Sequence, residues 1–163
     1  DTDGVIATSL EKAVATGVEV RYGRLVMKNS YGPETSSLPI VMQAEYLDSS
    51  GNFVVHTDDS CTVIDTNNNE MTITDTTGDT AYGGTLPTIN SISEAVDDGI
   101  TDFLWLMPSN TNNRGTVNLE YEAFPWLDYD WNGDGSNTNP TSAATFGLYR
   151  GNDRIIQWRE VNP

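Results

Sequence analysis

The chain has 163 residues, of which 24 are acidic and 8 are basic, and its formal net charge is -16. This acidity argues against a nucleic-acid partner, which requires a basic surface, and against binding to an anionic membrane. No apolar run approaches the length of a membrane span, and the length suits one domain with a substantial core.

The first predicted element is a helix at residues 5–16, where helix-forming residues are most frequent. Residues 18–28 follow and alternate apolar with polar side chains, which predicts a core strand. The apolar positions change face after Gly23, and a glycine at such a change indicates a bulge or a bend between sheets.

A second core strand is predicted at residues 39–47, where the alternation is clear. The side chains expected to face the core are Ile40, Met42, Ala44 and Tyr46. A turn at 49–52 then leads into a short strand at 53–55.

The other strands are predicted from short alternating runs between turn signals. They are residues 61–65, 70–75, 100–107, 116–122, 143–150 and 154–161. Residues 91–97 are predicted to form a short second helix. The polar stretches 65–84, apart from the strand within it, and 108–115 are predicted to be loops. The last two strands are joined by Gly151-Asn152-Asp153, a three-residue hairpin signal.

About nine strands at this spacing predict an all-β fold with at most one or two short helices. The expected architecture is an antiparallel β-sandwich, immunoglobulin-like or related. The sequence has no internal repeat and no linker, so residues 1–163 are expected to form a single domain. The final hairpin should belong to the sandwich, with Ile156 and Trp158 turned to the core.

Two segments, residues 21–62 and 130–161, resemble a known family. The most specific pieces are Tyr22-Gly23-Arg24, Asp58-Asp59-Ser60-Cys61 and residues 146–153. They are similar to the C-terminal domain of MSHA biogenesis protein MshQ and related large surface proteins of Gram-negative bacteria. The resemblance implies that the chain is the C-terminal part of a longer secreted or surface protein. It also implies a pilus-linked or adhesive role, and it brings no catalytic residue.

The segment DYDWNGDGSN, residues 128–137, concentrates oxygen-bearing side chains at alternate positions. An EF-hand-type calcium loop requires oxygen ligands at its first, third and fifth positions and glycine at its sixth. A loop that starts at Asp130 meets this requirement, with Gly135 in the sixth position. The predicted calcium ligands are Asp128, Asp130, Asn132, Asp134 and Ser136, the last through its backbone carbonyl. The predicted affinity is weak, with a Kd of roughly 10⁻⁴ to 10⁻³ M.

The same segment also fits a strand followed by a tight turn. The twelfth position of the loop, where a bidentate Glu is required, is Thr141. Asn132-Gly133 and Asp134-Gly135 are both favoured hairpin dipeptides, and apolar residues alternate with polar ones before them. The calcium loop and the simple turn therefore remain alternative interpretations.

Other chemically active residues are expected to be structural. His56, the only histidine, lies near acidic residues as in a catalytic triad, but no nucleophile-elbow motif supports that role. Glu120 and Glu122 share a strand face as a glycosidase pair does, yet solvated carboxylates are the more common case. Cys61 is expected to be a small buried hydrophobe. In a longer parent protein it could instead pair with a cysteine outside this sequence.

No nucleophile, base and orienting residue occur together, so no enzyme is expected. The first functional hypothesis is a non-catalytic module of an adhesive or pilus-associated cell-surface protein, stabilised by calcium and contacting glycans or protein partners. The alternative is a subunit of an extracellular fibre that self-associates by β-strand addition. The tryptophans could form a stacking platform for sugars, but three of the four are expected in the core. They are Trp105, Trp126, Trp131 and Trp158.

Overall fold

The computed structural model describes residues 21–67 and 71–148. Within these ranges the chain forms twelve strands and a single 3₁₀ turn, Gly78–Thr80, so the predicted all-β class is confirmed. The strands are β1 (Gly23–Met27), β2 (Ser30–Gly32), β3 (Leu38–Pro39), β4 (Met42–Leu47), β5 (Phe53–Val55), β6 (Val63–Asp65), β7 (Met71–Asp75), β8 (Thr88–Ile89), β9 (Ser93–Ala95), β10 (Trp105–Met107), β11 (Gly115–Tyr121) and β12 (Thr141–Phe146). The described part of the chain contains no helix that could cross a membrane.

The strands form four small sheets, as expected for a sandwich rather than a barrel. Their orders are β1-β4-β5, β3-β10-β8, β2-β12-β11-β7 and β6-β9. Neighbouring strands run antiparallel except for β2, which lies parallel to β12 at the edge of the largest sheet. Because β1 and β4 pair with Arg24 opposite Glu45, these two charged side chains share one face of their sheet.

One hydrophobic core joins the sheets, and the alternating strands supply most of it. On β4 the side chains of Met42 and Ala44 are buried, as the sequence predicts, and Ile40 just before the strand is buried too. Tyr46, which the sequence also predicts to face the core, is only half-buried. On β11 every second residue is buried, from Gly115 to Tyr121. The alternation therefore identified the inner faces of both strands.

The predicted helix at 91–97 is wrong. Ser93–Ala95 form strand β9 and pair with β6, and the amide of Val96 continues the ladder to the carbonyl of Thr62 at 2.9 Å. Three residues form too few helical hydrogen bonds to offset the unfavourable free energy of helix nucleation. Pairing with a neighbouring strand satisfies their backbone N–H and C=O groups directly.

The strand predicted at 100–107 is confirmed only for β10. Ile100 closes a tight turn with Asp97 through two backbone hydrogen bonds of 2.9 and 3.0 Å. Asp98 and Gly99 both have positive φ in this turn. The buried Thr101 hydroxyl donates to the carbonyl of Ile40 and accepts from the amide of Met42, and the Thr101 amide donates to the carbonyl of Met42 at 3.1 Å. Together with a single bridge between Gln43 and Ile100, these bonds hold the segment without a continuous strand.

Two short strands, β2 and β8, have no counterpart among the predicted elements, because two or three residues carry too little alternation to be recognised. Strand β3 includes Pro39, the first residue of the strand predicted at 39–47, but it is separate from β4 and pairs with β10. The helix predicted at 5–16, residues 18–20 of the first strand, and the final strand at 154–161 with its turn lie outside the described residues.

Candidate binding groove and predicted calcium loop

The connection after β11 presents two large aromatic side chains to solvent. Residues 124–127 form a turn in which the amide of Leu127 donates to the carbonyl of Phe124 at 2.7 Å, with Pro125 at the position where proline favours such turns. Leu127 is buried, and its carbonyl accepts a bond from the amide of Leu25 on β1. The turn is thereby fixed to the sheet, while Phe124 and Trp126 stay exposed.

Phe124 and Trp126 form a parallel stacked pair, with ring centroids 4.6 Å apart and an interplanar angle of 4°. Trp126 is 69% exposed. Each ring can hide only one face against the other, so stacking leaves one face of the Trp126 indole available to a ligand.

A surface groove of about 500 Å³ adjoins Trp126. Its other lining residues include Arg21, Tyr46, His56 and Asp58. Within it the guanidinium of Arg21 lies 4.2 Å from the ring centre of Tyr46, and the imidazole of His56 contacts Tyr46 edge-on at 5.1 Å. We call this surface the Trp126 groove; it combines two aromatic rings with hydrogen-bond donors and acceptors.

Asp59 shapes one wall of the Trp126 groove. Its carboxylate accepts hydrogen bonds from the amides of Cys61 and Thr62, at 2.9 and 3.0 Å, and from the Thr62 hydroxyl at 2.6 Å. Burial raises the pKa of Asp59, but the Thr62 hydroxyl, these amides and nearby His56 together bring it below the ordinary value. Asp59 is therefore a structural carboxylate, and the adjacent Asp58 is the exposed one.

A second, smaller depression continues from the Trp126 groove on the side of Phe124. It is lined by Cys61, Thr62, Val63, Phe124, Trp126 and Leu127. Cys61 is exposed, so the expectation of a buried cysteine is wrong. A polar turn held by Asp59 places Cys61 at the surface, and composition alone gives no sign of this turn. Pairing with a cysteine outside this sequence stays a prediction.

The expected burial of three tryptophans is wrong as well. Trp105, Trp126 and Trp131 are all exposed, and Trp158 lies outside the described residues. Trp105 is on β10, whose inner face is supplied by Leu106 alone. Trp131 instead lies near the Arg24 side chain of β1.

The Arg24 side chain lies at the centre of an aromatic cluster that includes Trp131. Its guanidinium bonds to the carboxylate of Glu45 at 2.7 and 2.9 Å, and these two side chains are only 20% and 10% exposed. The same guanidinium lies 3.8 Å from the ring centre of Phe53, 4.8 Å from Tyr129 and 5.2 Å from Trp131. Arg24 thus joins β1, β4, β5 and the loop that begins after Leu127.

That loop contains the predicted calcium ligands. It is closed by two backbone bonds between Tyr129 and Thr138, at 3.0 and 3.3 Å. The Asp130 carboxylate accepts from the amides of Gly133, Asp134 and Gly135 at 2.7, 3.1 and 2.9 Å. Gly133 and Gly135 have φ values of 75° and 89°, a region that favours glycine. The predicted turn is therefore present as a wider loop held by the Asp130 carboxylate, and the strand predicted before it is reduced to the single bridge between Tyr129 and Thr138.

The remaining predicted ligands also bond within the loop. Asp134 accepts from the amide of Ser136 at 2.8 Å and from the side-chain nitrogen of Asn132 at 2.9 Å. The Ser136 amide, followed by the Asn132 side chain, lowers the pKa of Asp134. Among the described residues no three His, Cys, Asp or Glu side chains form a group that could hold a metal ion.

Asp128 differs from its neighbours in the loop. Within the described part of the chain, one of its carboxylate oxygens is buried without a hydrogen-bond partner, and burial raises the pKa of Asp128. The ionised form is therefore the one that the fold disfavours.

We expect Asp128→Asn to raise Tm at pH 7 in the presence of a chelator. The reason is that the amide removes the free-energy penalty of keeping an ionised carboxylate at this position in the folded state. A raised folded-state pKa means that the penalty applies above that pKa and fades as the pH falls through it. The gain should vanish below pH 3.8, the unperturbed value. Thermal melts across pH test this, with Asp134→Asn as the control. Because the pKa of Asp134 is lowered, that variant should lose stability at pH 7, and a gain in both variants would contradict the assignment.

His56 follows β5 and lines the Trp126 groove, and the two glutamates lie on the solvent side of the chain. His56 packs against Tyr46, and both Glu120 and Glu122 are exposed. The side-chain nitrogen of Asn139 donates to Glu120 at 2.9 Å, which ties the end of the loop to β11.

The fold and the groove together define an all-β domain with an open, aromatic-rimmed recess on its surface. The family model described as DUF6701, fourth domain, matches residues 21–161, and the chain belongs to this family. No curated protein and no solved structure matches the chain. The more specific relationship to MshQ stays a prediction.

Proposed function

We propose that this domain is a non-catalytic recognition module of an extracellular, adhesive or pilus-associated bacterial surface protein. The observation that carries the proposal is the exposed Trp126, stacked on Phe124 at the edge of the Trp126 groove. Tryptophan is strongly enriched among residues that dominate binding energies. Covering its large apolar surface with a ligand gives a large gain in binding free energy.

Two further observations support a surface role. The net charge of -16 favours a solvated protein that stays soluble when displayed outside the cell. The description of the family as a fourth domain supports a place within a longer protein. An adhesive protein uses its domains to present ligand sites away from the cell.

The expected result for Trp126→Ala is a severalfold loss of adhesion. Microspheres coated with the wild-type domain should be retained on at least one member of a panel of bacterial and mammalian cells, because an aromatic anchor contributes a large share of binding energy. Trp105→Ala is the matched control, since Trp105 is exposed on β10 away from the groove. Equal retention of wild type and Trp126→Ala, or no retention on any cell type, would contradict the proposal.

We also propose that the loop around Asp130 binds calcium weakly. Oxygen ligands stand at the first, third and fifth positions, and Gly135 has the conformation that a sixth-position glycine provides. Thr141, at the twelfth position, is the first residue of β12 and supplies no carboxylate. The loop therefore fits an incomplete site: Oδ1 of Asp130 already accepts two amide hydrogen bonds, whereas Oδ2 accepts one and keeps a lone pair.

Calcium at ten times its Kd is expected to stabilise the native state by about 1.4 kcal/mol. For a chain of this size that corresponds to a rise in Tm of roughly 3 to 6 °C. Melting curves in millimolar calcium and in chelator should differ for wild type. They should coincide for the double variant Asp130→Ala, Asp134→Ala. The control double variant, Asp79→Ala with Asp102→Ala, removes two exposed carboxylates elsewhere and should keep the difference. Identical wild-type melting curves in calcium and in chelator would contradict calcium binding and leave the simple turn as the interpretation of this loop.

The alternative function is a fibre subunit that assembles by strand addition. It is favoured by β7, which within the described residues pairs with β11 on one side only and contains no basic residue. An exposed edge of this kind can accept a strand from a neighbour. A mass measurement in solution separates the two functions, since a recognition module is expected to be monomeric and a fibre subunit to form a ladder of oligomers.

A further inference from the structure

We propose that the Trp126 groove binds neutral pyranose sugars, so that the ligand of this module is an uncharged glycan. This inference rests on the proposed recognition function and names the chemical class of its ligand. It is carried by the aromatic rings, the mixture of donors and acceptors, and the charge of the molecule.

The aromatic part of the groove suits the apolar face of a sugar ring. Phe124 covers one side of the Trp126 indole and lines only the second depression, whereas Trp126 lines both. The indole face turned away from Phe124 is therefore the one available to the Trp126 groove. Tyr46 lines the same groove, so a ring stacked on Trp126 would lie in a recess with a second aromatic side chain.

The polar lining suits hydroxyl groups, which both donate and accept hydrogen bonds. Arg21 supplies donors, the exposed Asp58 supplies acceptor oxygens, and His56 supplies one of each when neutral. Recognition sites of this size, from about 300 to 1,000 Å³, commonly combine aromatic walls with a few polar groups that fix orientation. The groove, at about 500 Å³, falls within this range.

The net charge argues against anionic ligands, and the position of Arg21 argues against a cation packed on Tyr46. An anionic sugar would approach a protein of net charge -16 and would meet Asp58 and Asp59 in the groove wall. A cationic side chain would meet the guanidinium of Arg21, which already covers Tyr46. An uncharged polyhydroxylated ring is repelled neither by the carboxylates nor by the guanidinium. Its hydroxyls can form hydrogen bonds with both kinds of group.

The test is binding of the multivalent domain, displayed on beads, to an array of neutral and anionic oligosaccharides at physiological salt. We expect signals on neutral glycans, with a loss of about tenfold or more for Trp126→Ala. A smaller loss is expected for Asp58→Asn, which keeps the shape of the side chain but changes its hydrogen bonding. Trp105→Ala should bind as wild type does. Binding should persist in chelator, because the linings of both depressions end at Leu127 and include no predicted calcium ligand.

The outcomes separate this inference from the function on which it rests. Signals confined to anionic glycans would overturn the inference. Neutral signals that Trp126→Ala retains would also overturn it. If no glycan binds while retention on cells still depends on Trp126, the inference fails and the recognition function stands with a protein ligand. If retention on cells is also independent of Trp126, both fail.

Discussion

Replacing Arg24 with alanine is expected to lower the free energy of unfolding by about 3 kcal/mol, near the lower end of the range for breaking a buried ion pair. The change leaves the Glu45 carboxylate, which is only 10% exposed, without its close partner. Lys28 is the other cation near this carboxylate, and its ammonium stands 3.9 Å away. The change also removes the cation on which the rings of Phe53, Tyr129 and Trp131 pack.

Chemical denaturation of Arg24→Ala and of Arg114→Ala gives the decisive comparison. Arg114 also pairs with a carboxylate, Glu34, at 2.8 Å; the Arg114 side chain is 63% exposed and that of Glu34 is 14% exposed. Because the Arg114 guanidinium stays in solvent, its loss is expected to cost about 1 kcal/mol, less than the loss of Arg24. If the two variants lost equal stability, Arg24 would not be the centre of the aromatic cluster. A double variant of Arg24→Ala with Glu45→Gln should recover part of the loss, because the unpaired charge is gone.

The second large effect is expected at Phe146, at the end of β12. Its side chain is fully buried and meets the ring of Tyr82 edge-on, with the centroids 5.6 Å apart. Phe146→Ala should cost about 3 to 5 kcal/mol, because it loses apolar burial and leaves a cavity. That is a large fraction of a net stability of roughly 5 to 15 kcal/mol.

Phe124→Ala makes the same chemical change on the surface and serves as the control. Phe124 is exposed and contacts Trp126 by stacking, so its loss should cost about 1 kcal/mol or less. Denaturant titration of both variants measures the contrast. A Phe146→Ala protein as stable as Phe124→Ala would show that β12 does not bring Phe146 into the core.

The elements that the sequence predicts correctly are those whose alternation is long enough to mark one face. Strand β11 pairs with β7 and β12 over its length, and its buried positions follow the period of two. The segment at 91–97 fails for the opposite reason. Its three strand residues are held by β6, which is about 30 positions away in the sequence, and local propensity does not report such pairing.

The candidate site is less accessible to sequence reasoning than the fold. The turn at residues 128–137 is predictable, because asparagine-glycine and aspartate-glycine pairs encode it locally. The Trp126 groove is not, since it combines residues from Arg21 to Leu127 that meet only when the strands pair. One signal was present: Phe124-Pro125-Trp126 places a proline between two aromatic residues, and such a turn can expose both rings. The enclosure of Arg24 by three rings gave no signal, because Arg24, Phe53 and the neighbouring Tyr129 and Trp131 come from three segments more than 20 residues apart.

The central claim, that a ligand is bound against Trp126, is tested most directly by NMR on the tryptophan indole N–H groups. The signal of Trp126 is identified by its absence in Trp126→Phe, and those of Trp105 and Trp131 in the same way. A pool of neutral oligosaccharides is titrated into the wild-type domain. We predict a saturable shift of the Trp126 signal with the Trp105 signal unchanged. A Trp126 signal that stays in place throughout the titration, or a shift confined to Trp105, would contradict the assignment of neutral glycans as the ligand of the Trp126 groove.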